Sequence, residues 1–285
     1  MDRHGVKTRL PKANTVAPVR AVLFWVWSFL VGISALHASR PATAASPEES
    51  SGLRSSSGVL NMGGEHGGPL LVDYYRTFLA DRDIEAYRGR VNARYSEATL
   101  DRILSDSPDP LARRGAVLAL GLGGQFKTSN KALGHALRDL DSGVRSMAED
   151  ALWSLWFRAD TPENNATLEA VRDLVGLGRF DQAISLANQL IAAAPDFAEA
   201  YNQRALAYYL QGRMAESARD CRETLKRNPV HFGAISGLAK CQLGLNRPRE
   251  ALESLRQALK ITPYSDPLRE AVKALEAEIG PEGAR

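Results

Sequence analysis

Cysteine and histidine are scarce in this chain, with two of the first and five of the second. A structural zinc site takes four ligands of this kind, and two thiols alone do not make one. His135 and His231 lack ligand-like spacing to acids or to each other, and Glu65 and His66 have no spaced partners. No metal is therefore expected. The chain also lacks a nucleophile elbow, a phosphate loop and a metal-binding helix motif. No catalytic residues and no cofactor are expected, and the chain reads as non-enzymatic. Clustered basic charge is missing too. Of 36 Lys and Arg and 33 Asp and Glu, residues 1–44 hold six basic residues and one acid, so the rest carries 30 against 32. A nucleic-acid footprint needs basic charge on the folded part, and it is absent. Strand signals are absent as well, which leaves an all-α protein. With 44% hydrophobic and 24% charged residues, neither wholesale disorder nor a multi-span membrane protein fits.

The N-terminus is organised as a targeting segment. Basic residues end at Arg20, the apolar run AVLFWVWSFLVGISAL (21–36) follows, and small residues come next. Ala42 and Ala44 form an A-x-A cleavage pattern, so residues 1–44 read as a signal peptide. The alternative is an uncleaved anchor. The 19 residues between Arg20 and Arg40 approach the roughly 20 that span a bilayer, and the two Trp residues suit an interface. Membrane anchoring through 21–39 thus stays open beside cleavage, and either route places the folded part outside the cytoplasm, in the periplasm or secreted. No cysteine lies near the apolar run, which excludes a lipoprotein. Residues 45–68 are rich in Ser, Pro, Ala and Gly and read as a flexible linker.

What is present is repetition. Pro195, Pro229 and Pro263 are 34 residues apart, as are Gly178, Gly212 and Asn246, and Ala183, Ser217 and Ala251. Each unit is a helix, a turn, a second helix and a stopping proline. The units fall at about 164–197, 198–231 and 232–265. Tyr201, Tyr208, Gly212, Ser217, Cys221, Thr224 and Pro229 carry the pattern in the second one. It resembles the tetratricopeptide repeat family, although Arg204 stands where the family usually has Leu. The segment 267–279 puts Leu268, Val272, Leu275 and Ile279 on one face with charge elsewhere, as a capping helix requires. The tetratricopeptide-like region with its cap is assigned to 161–285.

A second period lies upstream. Asp109 and Asp141, Arg113 and Arg145, Ala116 and Ala148, Ala119 and Ala151, and Leu120 and Leu152 are 32 apart. This resembles HEAT repeats, whose Asp and Arg slots hydrogen-bond between neighbouring units. The Arg slots are Arg113 and Arg145; the Asp slots hold Asp139 but Ser107. Helices at about 70–80, 83–93 and 96–105 begin this stack, which is assigned to 69–160. Together the regions form an α-solenoid of HEAT-like helix pairs, three tetratricopeptide units and a cap. Trp153, Trp156 and Phe157 lie on one helix face. They read as burial where the upstream stack meets the first 34-residue unit, in preference to an aromatic platform. Cys221 and Cys241 fall on facing helices and either pair or pack as small hydrophobes, with packing preferred.

The tetratricopeptide resemblance implies a protein or peptide bound on the concave surface lined by the first helix of each unit. The corresponding slots carry Leu168, Arg172 and Val175; Glu199, Asn202, Leu206 and Tyr209; and Ser236, Lys240 and Leu243. Leu168, Leu206 and Leu243 would be apolar anchors, Asn202 would hold a peptide backbone, and Arg172 and Lys240 would favour an acidic or C-terminal group. Tyr209 would be the hot spot, unless it packs against the next helix. Some family members clamp a C-terminal carboxylate with Lys and Asn at set slots. Those positions here hold Leu168, Arg172, Gln203, Gly233 and Gly237, which breaks the clamp. The expectation is an exported adaptor or scaffold. The alternatives are a membrane-tethered structural or self-associating solenoid and, resembling some chromophore lyases, a HEAT-type accessory enzyme.

Overall fold

The structure is a computed structural model that describes residues 70–280. The leader, the linker and the last five residues lie outside the described residues. Within 70–280 the protein is all-helical, with thirteen helices and no strand. They are α1 (Leu70–Asp81), α2 (Ile84–Asn92), α3 (Glu97–Asp106), α4 (Pro110–Gly123), α5 (Phe126–Ala136), α6 (Ser142–Phe157), α7 (Pro162–Gly176), α8 (Phe180–Ala193), α9 (Ala198–Leu210), α10 (Met214–Arg227), α11 (Phe232–Gly244), α12 (Pro248–Ile261) and α13 (Asp266–Ile279). No helix among the described residues is long and apolar enough to cross a membrane.

The helix starts follow from local chemistry. Asp83, Ser96, Asp109, Asp141 and Thr161 each cap a helix by accepting a backbone N–H in its first turn. Pro110, Pro162 and Pro248 open helices where their missing N–H has no intrahelical partner to lose. The 34-residue period is written into the turns. Gly178 and Gly212 have φ of 71° and 77°, and Asn246 has φ of 58°. This left-handed conformation suits Gly and is tolerated by Asn. In each turn the next residue donates back into the helix. Arg179 N reaches Leu174 O at 2.9 Å, Arg213 N reaches Tyr208 O at 2.9 Å, and Arg247 N reaches Gln242 O at 2.8 Å.

In the 34-residue units α7, α9 and α11 are the first helices and α8, α10 and α12 the second, with α13 packed on α12 as the cap. Small residues let neighbours approach: Ala183, Ser217 and Ala251 are all essentially buried. Arg204, the departure from the repeat pattern, has a specific partner. Its Nε and Nη2 donate to the two oxygens of Asp220 at 2.7 Å each, and Nη1 donates to Asn188 Oδ1 at 2.6 Å. A forked ion pair thus joins α9 to α10 where a leucine would have packed.

The 32-residue period appears as a repeated hydrogen-bond set. Arg113 donates to the carbonyls of Ser107 and Pro108, and Arg145 to those of Asp139 and Leu140. Between these units Arg113 grips Asp139 with both ends of its fork, at 2.7 and 2.8 Å. A parallel pair, Arg114 with Asp141, holds that carboxyl down to about 2 through the guanidinium hydrogen bonds. The Arg113–Asp139 pair is largely buried, with side chains 14% and 11% exposed. Removing one partner strands the other charge. Asp139→Ala should therefore cost about 3 kcal/mol, read as a shift in urea midpoint. The double variant Asp139→Ala with Arg113→Met should cost less than the sum of the singles. A single-variant loss below about 0.5 kcal/mol would show that the pair does not hold the two units together.

Candidate functional site

The first helices of the 34-residue units lie side by side and form one inner face. The ends at which these helices begin are occupied by the chain itself. Trp156 on α6 is 1% exposed, and its indole stacks on His231 with ring centroids 4.0 Å apart. Trp153 meets His231 and Phe232 edge-on at 5.4 and 5.3 Å. A Cβ added to Gly233 would come within 2.8 Å of the Trp153 ring, so glycine is what lets α6 approach α11 this closely. Trp156 is buried and Trp153 half-buried, but not against the first unit as the sequence suggests. Trp153 and Trp156 pack on the start of the third unit, and it is Phe157 that joins Leu168 and Leu190 in the first. The curvature of the solenoid brings the third unit back to α6, which a nearest-neighbour reading cannot anticipate.

Polar groups under these rings are joined in a chain. Trp156 Nε1 donates to Asn130 Oδ1 at 2.7 Å, and Asn130 Nδ2 donates to Asn228 Oδ1 at 3.0 Å. His231 Nδ1 caps α11 by accepting from Ala234 N at 3.0 Å. The ring proton is therefore on Nε2 and is donated to Glu199 Oε2 at 2.8 Å. The other oxygen of Glu199 accepts from Asn202 and Gln203 at 2.9 and 2.8 Å. Glu199 and His231 are 1% and 0% exposed. The carboxylate also sits in the first turn of α9, where the helix dipole favours it. Farther along, the Arg145 guanidinium lies 4.3 Å above the Tyr264 ring. This contact surface was missed by sequence reasoning. Its one visible signal was His231 directly before a helix start.

The inner-face residues divide into two groups. Leu168 is fully buried among Leu190, Ala194, Phe197 and Ala200, so it is core and not an anchor. Val175 belongs to the next core cluster, with Val171 and Ala187. Tyr209 packs with Leu238 and Cys241 between the second and third units, and burial pushes its hydroxyl pKa up. Glu199 is covered by the polar chain, and Asn202 is engaged with it. The second group remains accessible. Arg172 is exposed, 5.4 Å from the Phe157 ring and paired with Glu169 and Asp173. Leu206, Ser236 and Leu243 are half-buried. Leu210, one residue past Tyr209 and not singled out from the sequence, is 40% exposed. Lys240 is largely buried, and desolvation lowers its amine to about 8.

A family model for the tetratricopeptide repeat matches residues 168–229. A TPR repeat-containing protein of Rhizobium etli is 30% identical over 142 residues, which is 50% of this chain and 70% of that protein. The chain belongs to the tetratricopeptide repeat family. The mouse WD and tetratricopeptide repeats protein 1 is 38% identical over 80 residues, 27% of this chain and 12% of its own length. Two solved structures are similar at lower identity. The Sgt2 tetratricopeptide domain of Aspergillus fumigatus matches at 21% identity and a TM-score of 0.39, over 42% of this chain and 80% of that one. A tetratricopeptide protein of Thermus thermophilus matches at 20% identity and a TM-score of 0.33, over 73% and 97%.

The docked tryptophan carries more than its own burial. Trp156→Ala should destabilise the protein by about 3–5 kcal/mol, since it empties a large core site. It also leaves Asn130 Oδ1 without its donor. Trp156→Phe keeps a ring over His231 but loses the indole N–H and one fused ring, so it should cost about 2 kcal/mol, less than the alanine variant. Thermal and urea melts of both variants check this, and equal losses would mean that the indole N–H rather than the ring dominates.

Proposed function

We propose that this tetratricopeptide protein is a non-catalytic adaptor that binds a protein or peptide on the open part of its inner face. The observation that carries this reading is the division of that face. Its starting ends are closed by α6, whereas Leu210, Leu243 and part of Leu206 keep apolar surface accessible, and Arg172 is exposed. Apolar anchors with a cation alongside suit a short segment with hydrophobic side chains and an acidic or C-terminal group. Arg172 already shares its charge with Glu169 and Asp173, so an incoming carboxylate would compete for it. The upstream helices would serve as a HEAT-like brace, a reading supported by the Arg113–Asp139 pair between its units.

The test is cross-linking and affinity capture of the tagged protein from its native envelope. Leu210→Asp with Leu243→Asp should abolish capture while shifting the melting temperature by less than about 4 °C, the equivalent of about 1 kcal/mol. Undiminished capture by the folded double variant would move the site off this face.

We also propose export, with cleavage after the A-x-A pattern. The support is the order of basic flank, apolar run and small residues before 45. N-terminal sequencing of protein from the native envelope should start near Ala45. A start at residue 1 or 2 with tight membrane association would favour the anchored form, and full recovery from the cytoplasm would overturn both.

A further inference from the structure

The second and third tetratricopeptide units each contribute one cysteine, and the two lie in one buried cluster. Cys221 is on α10 and Cys241 on α11, in one apolar cluster with Ala205, Ala218 and Leu238. They are 3% and 0% exposed, are unbonded as free thiols, and each shifts the acidity of the other. The surroundings fix which sulfur is which. The Cys241 thiol donates to Ser217 Oγ at 3.1 Å, and the Ser217 hydroxyl donates to Ala205 O at 2.8 Å. Ser217 occupies the small slot of its repeat, so the hydroxyl sits where most of its counterparts present a methyl group.

We propose that Cys221 and Cys241 are a redox site, forming a reversible disulfide that staples the second unit to the third on exposure to hydrogen peroxide. Cys241 is the attacking thiol. Cys221 stabilises its thiolate most, Lys240 and Arg222 add to this, and against the opposing effect of burial its pKa falls to about 7. Cys221 is pushed the other way and keeps its proton. The chemistry balances in two displacements. The Cys241 sulfur attacks one peroxide oxygen, the O–O bond breaks, and the departing oxygen leaves as water, giving a sulfenic acid. The Cys221 sulfur then attacks the sulfenic sulfur, the S–O bond breaks, and a second water leaves with the thiol proton. Two thiols lose two electrons in all, and peroxide is reduced to water. The two cysteines share one cluster on neighbouring helices, so the second step brings together side chains that already pack in one place and the sulfenic acid is captured before further oxidation. Thiol–disulfide exchange with a dithiol reverses the bond.

The experiment uses the full chain, purified under reductant and desalted. It is treated with hydrogen peroxide, quenched in acid, unfolded and alkylated with N-ethylmaleimide before intact-mass measurement. The reduced chain should take up maleimide on both thiols. The oxidised chain should take up none, weigh about 2 Da less than the reduced unlabelled chain, run as a monomer on a non-reducing gel, and regain both sites after dithiothreitol. Cys221→Ser should stop at a sulfenic acid on Cys241 that dimedone traps, and Cys241→Ser should trap far less on Cys221. Full maleimide uptake by the oxidised wild-type chain would overturn the proposal, as would cross-links found only between molecules or direct passage to sulfinic acid. Equal dimedone trapping in the two variants would overturn the assignment of Cys241 as the attacking thiol.

Discussion

The stack of Trp156 on His231 is the contact on which the arrangement of the described region depends. The chain contains two arrays with different periods, and each buries its own core between neighbouring helices. Nothing in either period fixes how one array sits on the other beyond the helix that joins them. The indole does so by reaching past the first unit to the third. Its ring supplies apolar contact, and its N–H enters a hydrogen-bond chain through Asn130 to Asn228. Each bond in that chain demands a particular distance and angle, so a slipped register would leave buried polar groups without partners. Apolar packing alone would tolerate such slips more readily. The polar chain therefore supplies geometric definition more than bulk stability.

This docking changes what an inner face can do. In an open solenoid the whole concave surface is available along its length. Here Glu199, the first inner residue of the second unit, is spent on His231, Asn202 and Gln203. The accessible part of the inner face lies toward the helix ends farther from α6, where Leu206, Leu210 and Leu243 lie. The same economy shows on the outer side. Arg204 would be a costly occupant of an apolar slot, but Asp220 answers both ends of its fork and Asn188 takes a third donor. The substitution and its compensation come from neighbouring helices of one repeat, so the unit tolerates them without disturbing the next.

Much of the fold was legible because the repeat signals are backbone signals. Gly178, Gly212 and Asn246 mark turns since few residues accept a positive φ, and Asn is among those few. The Asp and Arg slots upstream were legible for a similar reason, because a hydrogen-bond pattern constrains residue type at fixed spacing. Arg113 and Asp139 form the expected bond between units. Leu168 and Tyr209 were less legible. A family slot says which way a side chain faces on an ideal solenoid, but not whether a neighbour covers it. Phe157 and the helices around it cover Leu168, and the interface between the second and third units absorbs Tyr209. The placement of Trp153 and Trp156 was illegible in principle from periodicity. It depends on curvature accumulated over several repeats, and a pattern of residues facing a neighbour does not say which neighbour.

Repeat proteins are commonly treated as sums of unit stabilities and nearest-neighbour interfaces. Helix α11 departs from that scheme. Its start is held by α6 through His231 and Phe232, its interior touches α10 through Cys241, and α12 packs along it. One of these contacts passes over the first and second units in sequence. Loosening α6 therefore acts on the third unit directly, in parallel with any effect passed through α7 to α9. An additive model would assign such a change to the first unit and predict decay along the array. The geometry instead lets α11 respond directly, alongside α7 and α9, which α6 also touches. Coupling of this kind needs no deformation of the intervening units, only a shared contact at the two ends of a curved stack.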